Sequence, residues 1–251
     1  MKVTVQHNQK NFVANLAQPL DISLPVANIT RAWYIPPPVF TPVRLGENWV
    51  GSIAEGGDVN FFDITFNPHA HGTHTECLGH VTKAHESVNQ ALLASWFVAE
   101  LISVRPQQKG DDAQITATEI AQKRKCGQVD ALIIRTLPNV ADKATQNLSN
   151  SNWPYLEAEA AKQICASGVQ HLLIDQPSVD QEEDGGIMAA HKAFWNIPDA
   201  PRKNATITEL IFISDAVADG LYLLNLQVAP IENDAAPSRP VLFRLDEERV
   251  G

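Results

Sequence analysis

Apolar positions along the chain fall into short blocks with two periods. In "VNFFDITFN" (59–67) large apolar residues alternate with polar ones, the two-residue period of a strand. This predicts a strand that delivers the following segment at its end, with Pro68 stopping its ladder. "SVNQALLASWFVAELISV" (87–104) opens with helical spacing behind Ser87, a potential N-cap, then drifts into the strand-like "AELISV". In "ITATEIAQKRKCG" (115–127) Thr116 or Thr118 is placed to cap a short helix and Gly127 to end it. "VDALIIRT" (129–136) is continuously apolar at its centre, as in a strand buried on both faces. The same signals then recur. "PYLEAEAAKQICASG" (154–168) predicts a helix with Pro154 near its start and Gly168 after its end, and "VQHLLIDQ" (169–176) predicts a second buried strand.

Strands alternating with helices imply an α/β architecture with parallel pairing. The last third breaks that rhythm. "TITELIFISDA" (206–216), "YLLNLQVAPI" (222–231) and "PVLFRL" (240–245) predict three strands joined by turns at "DG" and "NDAAPSRP". Mixed parallel and antiparallel strands with helices in layers are therefore expected. No repeat, low-complexity block or long linker marks a boundary, so residues 1–251 are expected to form one domain.

Composition narrows the function. The formal charge is −10 and no basic stripe is visible, which argues against nucleic acid, since a phosphate backbone needs a basic face. No apolar run reaches bilayer-spanning length, and the start lacks the apolar core of a secretory signal. A cytoplasmic protein without a membrane partner is expected. Cys77, Cys126 and Cys165 have no CxxC spacing and are expected as free thiols.

The stretch "FNPHAHGTHTECLGH" (66–80) changes the picture, because it holds four of the chain's eight histidines. A uniform spread would put about 0.4 histidines in residues 69–80. His69, His71, His74, Glu76 and His80 supply imidazole nitrogens and a carboxylate, the donors that zinc, manganese or ferrous iron accept. His74 and Glu76 are two apart, so on extended backbone they project to the same side. Cys77 then points the other way. Gly72 and Thr73 allow a turn that brings both arms of the segment together. His69 and His71 compete for one place in such a site.

This stretch resembles the HxGTHxDxPxH signature of the cyclase family of metal-dependent hydrolases, which includes bacterial kynurenine formamidases and isatin hydrolases. "QPLDISLPV" (18–26), "LIIRT", "GVQHLLIDQPSVD" and the closing block from "ITELIF" to "PVLFRL" resemble further family blocks in the same order, over roughly residues 18–245. The resemblance implies a swivelling β/β/α fold and a site that takes one or two divalent ions. His74 and Glu76 would be metal ligands, with Glu76 where the family usually has Asp. His80 would be the proton-transfer histidine. His191 would be the isolated ligand of a second metal, and Glu209 would reach both metals. The family's first ligand lies four residues before the GTH histidine, where this chain has Ala70. His69 would need a one-residue bulge to serve, and is favoured over His71 because Pro68 disturbs the strand there. Leu78 stands where the family has Pro.

Other candidates carry weaker signals. Asp175, Ser178 and Asp180 follow a buried strand but suit a turn, and "DQEEDGG" (180–186) suits a solvated loop. Trp33, Tyr34 and Phe40 flank "IPPPVF", which could wall a pocket or dock on another subunit. Together these features predict a metal-dependent hydrolase, with zinc or manganese, that acts on a small cyclic or N-formyl amide and forms a homo-oligomer. A lactonase or dehydratase on the same metal site, or a metal-binding protein without turnover, are the alternatives.

Overall fold

In the computed structural model of the chain, which describes residues 1–248, the buried apolar blocks become the centre of an eleven-stranded sheet. Its order is Lys2–His7, Lys10–Asn15, Val241–Glu247, Gly220–Asn225, Trp96–Val104, Ala131–Thr136, His171–Ile174, Thr206–Glu209, His74–Cys77 and Ala235–Pro237, with Leu20–Asp21 beside Val241–Glu247. The four strands from Trp96–Val104 to Thr206–Glu209 run parallel. Antiparallel strands flank them on both sides. Mixed α/β architecture is thus observed. No helix among the described residues is long and apolar enough to cross a membrane.

The period-two alternation divides the core between the faces. Ile102, Leu132, Ile134, Leu172, Ile174 and Ile207 point to a face covered by helices Ala117–Lys123, Ala158–Ala166 and Ala189–Phe194. Leu101, Ile133, Leu173 and Leu224 point to the other face, closed by Ile22, Ile211 and Ile213. The capping signals act as sequence pattern predicts at Thr116, whose hydroxyl accepts from the Glu119 N–H at 3.2 Å. Gly168 adopts φ +85° just past the Ala158–Ala166 helix, a conformation that favours glycine.

Three expectations need correction. The alternating 59–67 segment does not feed the sheet. Its Phe62–Thr65 strand pairs only with Val39–Pro42, in a solvent-exposed ribbon. Pro68 stops no ladder, and instead opens a helical turn, Pro68–His71, that Asn67 caps by accepting the His69 N–H. The three C-terminal strands form, but what read as the turn between the last two is not only a turn. Thr206–Glu209 joins the parallel run, while Gly220–Asn225 crosses to the opposite side, and "NDAAPSRP" contains a further strand, Ala235–Pro237.

Candidate metal centre

The site grows from the pairing of two short strands on the helix-covered face. His74 and Glu209 sit directly opposite each other in the register, and Glu76 sits opposite Ile207. Opposed residues share a face, so all three donors point the same way. Thr75 turns to the far face, where its hydroxyl meets that of Thr208 at 2.8 Å. Cys77 also faces away and donates its S–H to the Glu86 carbonyl. Thr73 locks the strand's entry: its N–H donates to the Leu24 carbonyl, and its hydroxyl accepts from the Leu24 N–H and donates to the Leu210 carbonyl.

Helix geometry supplies the remaining donors. His191, on the Ala189–Phe194 helix, directs Nε2 to within 2.9 Å of Glu76 Oε1 and 3.7 Å of Glu209 Oε1. Its Nδ1–H donates to Asp180 Oδ2 at 2.6 Å, and Asp180 also accepts the N–H groups of Ala190 and His191. Asp180 is therefore buried and orients the ring, which corrects its reading as part of a solvated loop. From the helical turn, His69 sets Nδ1 3.3 Å from Glu76 Oε2 and Nε2 3.0 Å from Asp234 Oδ2. No bulge is needed; the turn shortens the path from Asn67 to Gly72 and brings His69 inward. His71 points elsewhere, accepting the Asn67 N–H on Nδ1 and donating from Nε2 to the Pro36 carbonyl.

His80 follows on a 3-10 turn, with Nδ1 3.1 Å from Asp234 Oδ2 and 3.8 Å from Glu76 Oε2. The structure thus brings His69, His74, Glu76, His80, His191 and Glu209 together, and leaves His71 outside. It adds Asp234, which joins His69 to His80. Sequence reasoning missed Asp234 because it lies in what read as a turn. The short "AAP" that follows it pairs with residues 74–76, and this pairing left no periodic trace.

Electrostatics favour a cation here. Burial opposes ionisation of Glu76, yet the His80 and His191 imidazoles hold its carboxyl well below the usual range. Burial likewise opposes charge on Asp234, and hydrogen bonds from His69 and His80 more than compensate. His69 is held up to about 10: burial disfavours its proton, but the Asp234 and Glu76 carboxylates outweigh that. Within this shell two atoms stay unsatisfied. His74 Nε2 and Glu76 Oε2 are fully buried without a hydrogen-bond partner. Glu209 Oε2 and His69 Nδ1 lie 3.3 Å from them, respectively, without completing a hydrogen bond. Leaving such groups unpaired costs about 1–3 kcal/mol each.

A metal ion fits these residues. With the His74 Nδ1–H donating to the Gly72 carbonyl at 3.1 Å, the neutral ring has its lone pair on Nε2, as a ligand nitrogen must. His69, His74 and Glu76 offer donor atoms within 4.8 Å of one another, as do Glu76, His80 and His191, and also His69, His80 and Asp234. Beside the donors opens a cavity of about 310 Å³, lined by Trp33, Ile35, Met188, His80, His191 and Glu209 among others. The cavity has no Lys or Arg in its lining.

Comparison with known proteins finds a family model, curated proteins and solved structures that the chain resembles. The cyclase family model, described as "Putative cyclase", matches residues 20–181. Kynurenine formamidase of Bacillus thuringiensis (strain Al Hakam) is 27% identical over 225 residues, covering 89% of this chain and 96% of that protein. The Bacillus anthracis kynurenine formamidase is 26% identical over 226 residues, with the same coverage of 89% and 96%. Among solved structures, one described as a potential metal-dependent hydrolase with cyclase activity superposes with a TM-score of 0.66 at 17% identity, covering 90% of this chain and 97% of the other. An isatin hydrolase bound to the product analogue thioisatinate gives a TM-score of 0.62 at 13% identity, covering 92% and 93%.

Proposed function

The chain belongs to the cyclase family, and from that premise we propose that it is a metal-dependent hydrolase that opens a small N-formyl or cyclic amide. The observation that carries this reading is the pair of buried, unpartnered donor atoms, His74 Nε2 and Glu76 Oε2, beside a cavity sized for a small molecule. His69, His74, Glu76, His191 and Glu209 would hold one or two divalent ions, zinc or manganese. When bound, such an ion supplies Lewis acidity, which makes water acidic enough to ionise near neutrality and polarises a substrate carbonyl.

The protein's own groups do the rest. Asp180 fixes the orientation of the His191 ring through its 2.6 Å bond to Nδ1, and the Val179 N–H, donating at 2.9 Å, fixes Glu209 Oε1. Trp33, Ile35 and Met188 wall the cavity with apolar surface that suits a planar aromatic amide. His80 is tethered through Nδ1 to Asp234, so its Nε2 is left for the cavity. There it takes a proton from attacking water and returns one to the departing nitrogen, a role suited to imidazole near neutral pH. The balance is plain hydrolysis: hydroxyl joins the acyl carbon, the C–N bond breaks, and nitrogen leaves with hydrogen. The names kynurenine formamidase and isatin hydrolase point to an open and a cyclic amide, and both fit this balance.

A screen of formylated aromatic amines, isatin-like rings and simple lactones, with added zinc and with manganese, tests the proposal. Turnover of an amide is expected. Turnover of lactones alone would replace the amidase with a lactonase on the same centre.

A further inference from the structure

Asp234 is the hub of a second donor group on the solvent side of the centre. Within 4 Å it meets three imidazoles and, among the described residues, no Lys or Arg: His69 Nε2 at 3.0 Å and His80 Nδ1 at 3.1 Å on Oδ2, and His85 Nε2 at 3.9 Å on Oδ1. His69 already faces the inner donors through Nδ1, which leaves its Nε2–H for Asp234. The remaining donors are His80 Nδ1, His85 Nε2 and the Asp234 carboxylate. None of them belongs to the ligand set proposed above.

Hydrogen bonding alone does not account for this convergence. One carboxylate balances the charge of one protonated imidazole, not of three, whereas neutral imidazoles and a carboxylate are donors that suit a zinc ion. The spacing suits it as well. With ligand bonds of about 2.0–2.2 Å, neighbouring donor atoms around a tetrahedral zinc lie about 3.3–3.6 Å apart. His80 Nδ1 and Asp234 Oδ2 stand close to that separation already. The His85 side chain is 63% exposed, so its ring can close the remaining gap by turning about its side-chain bonds. Its backbone sits at φ +53°, a left-handed conformation that is unfavourable for a residue with a Cβ.

We propose that His80, His85 and Asp234 form an outer zinc site, separate from the hydrolytic centre, whose occupation switches that centre off. The site stands on its own geometry; the switching rests on the hydrolase reading and the role it gives His80. In that role Nδ1 carries the proton, donated to Asp234, and Nε2 carries the lone pair that accepts from water. An ion bound to Nδ1 takes the lone pair there and leaves the ring's proton on Nε2. The neutral ring then has no pair free to accept a proton, while His69, His74, Glu76, His191 and Glu209 keep their places. Exposure separates the two sites in a second way. His74, Glu76 and His191 are fully buried and hold an ion away from solvent, whereas the outer group opens through His85 and exchanges its ion with the free pool.

Equilibrium dialysis tests the site without any substrate, so its failure is separable from a failure of the hydrolase reading. The full-length protein, with the ions it retains through purification, is dialysed against rising free zinc, and bound metal is read by elemental analysis. The wild type is expected to take up one further, exchangeable zinc per chain. His85→Ala is expected to weaken that zinc by more than the roughly tenfold that losing a residue behind a ligand costs, with retained ions and basal turnover unchanged. Asp234→Asn is expected to abolish it. No further zinc on the wild type, or equal uptake by His85→Ala, would overturn the site. In parallel, rising zinc is expected to inhibit turnover of an amide found by the screen above, and to need a correspondingly higher concentration for His85→Ala. Uptake of the further zinc with full turnover retained would overturn the switch.

Discussion

The Ala131–Thr136 and His74–Cys77 strands belong to one sheet and are both wholly buried, but they bury opposite contents. The first presents Leu132 and Ile134 to the helices and Ile133 to the other face. The second presents His74 and Glu76 to the helix side and is matched by Glu209 across the register. Burying apolar surface stabilises by about 25 cal/mol per Å², whereas burying charge costs several kcal/mol unless it is paired. A fold tolerates the second strand only where something repays that cost, and here the carboxylates, imidazoles and two unpartnered donors point to a cation.

The contrast can be broken from its charged side with the largest effect. His74→Ala is expected to lose bound metal and about a thousandfold or more in kcat/KM, roughly 4 kcal/mol of transition-state stabilisation. His80→Ala is expected to keep its metal and lose about a hundredfold or more. Elemental analysis of both purified proteins separates the roles, and a metal-free His80→Ala protein would make His80 a ligand. From the apolar side, Ile133→Ala is expected to cost about 2–5 kcal/mol of stability. Denaturant melts would read that loss, with metal content per folded molecule unchanged.

A smaller effect sharpens the comparison at the boundary between the two regions. His171 begins the His171–Ile174 strand, its ring packed against Phe97 and its Nδ1 2.9 Å from the Thr206 hydroxyl. Burial first, then the positive charge of Arg202, lower its pKa to about 4 from 6.5. The unfolded chain therefore takes up this proton more readily than the folded one. Stability from the neutral ring is complete above about pH 6.5 and is lost as the pH falls toward 4. About 2 kcal/mol should be gone at pH 5. Comparing melts of wild type and His171→Gln from pH 7 to 5 checks this; parallel curves would assign the acid sensitivity to the metal centre instead.

What the sequence disclosed follows the range of each interaction. Donors between His69 and His80 were legible because they crowd a dozen residues, and the parallel strands because their apolar runs are continuous. His191 and Glu209 came only through family resemblance, since neither stands in a local pattern. Asp180 was singled out but read as a turn residue, and Asp234 was missed, because their partners lie 11 and 154 residues away. The 59–67 alternation misled for a physical reason: a ribbon with one apolar face has the same period whether that face meets the core or solvent. The preference for His69 over His71 rested on a bulge, whereas the structure uses a capped helical turn that alternation could not anticipate.

The position of His74–Cys77 between Thr206–Glu209 and Ala235–Pro237 also has a consequence for biosynthesis. The hydroxyl contact between Thr75 and Thr208 spans 133 residues, and the pairing with Ala235–Pro237 spans still more. During translation the His69–His80 segment leaves the ribosome long before either neighbour exists, and loop closure over such separations is slow. The donors thus spend that interval as a histidine-rich strand without a sheet. A nascent chain offers metal only a loose, partial set, and the full centre forms when the C-terminal strands arrive. Any ion the centre would hold can therefore meet the full set of donors only after the strands from residues 206 to 237 have been made.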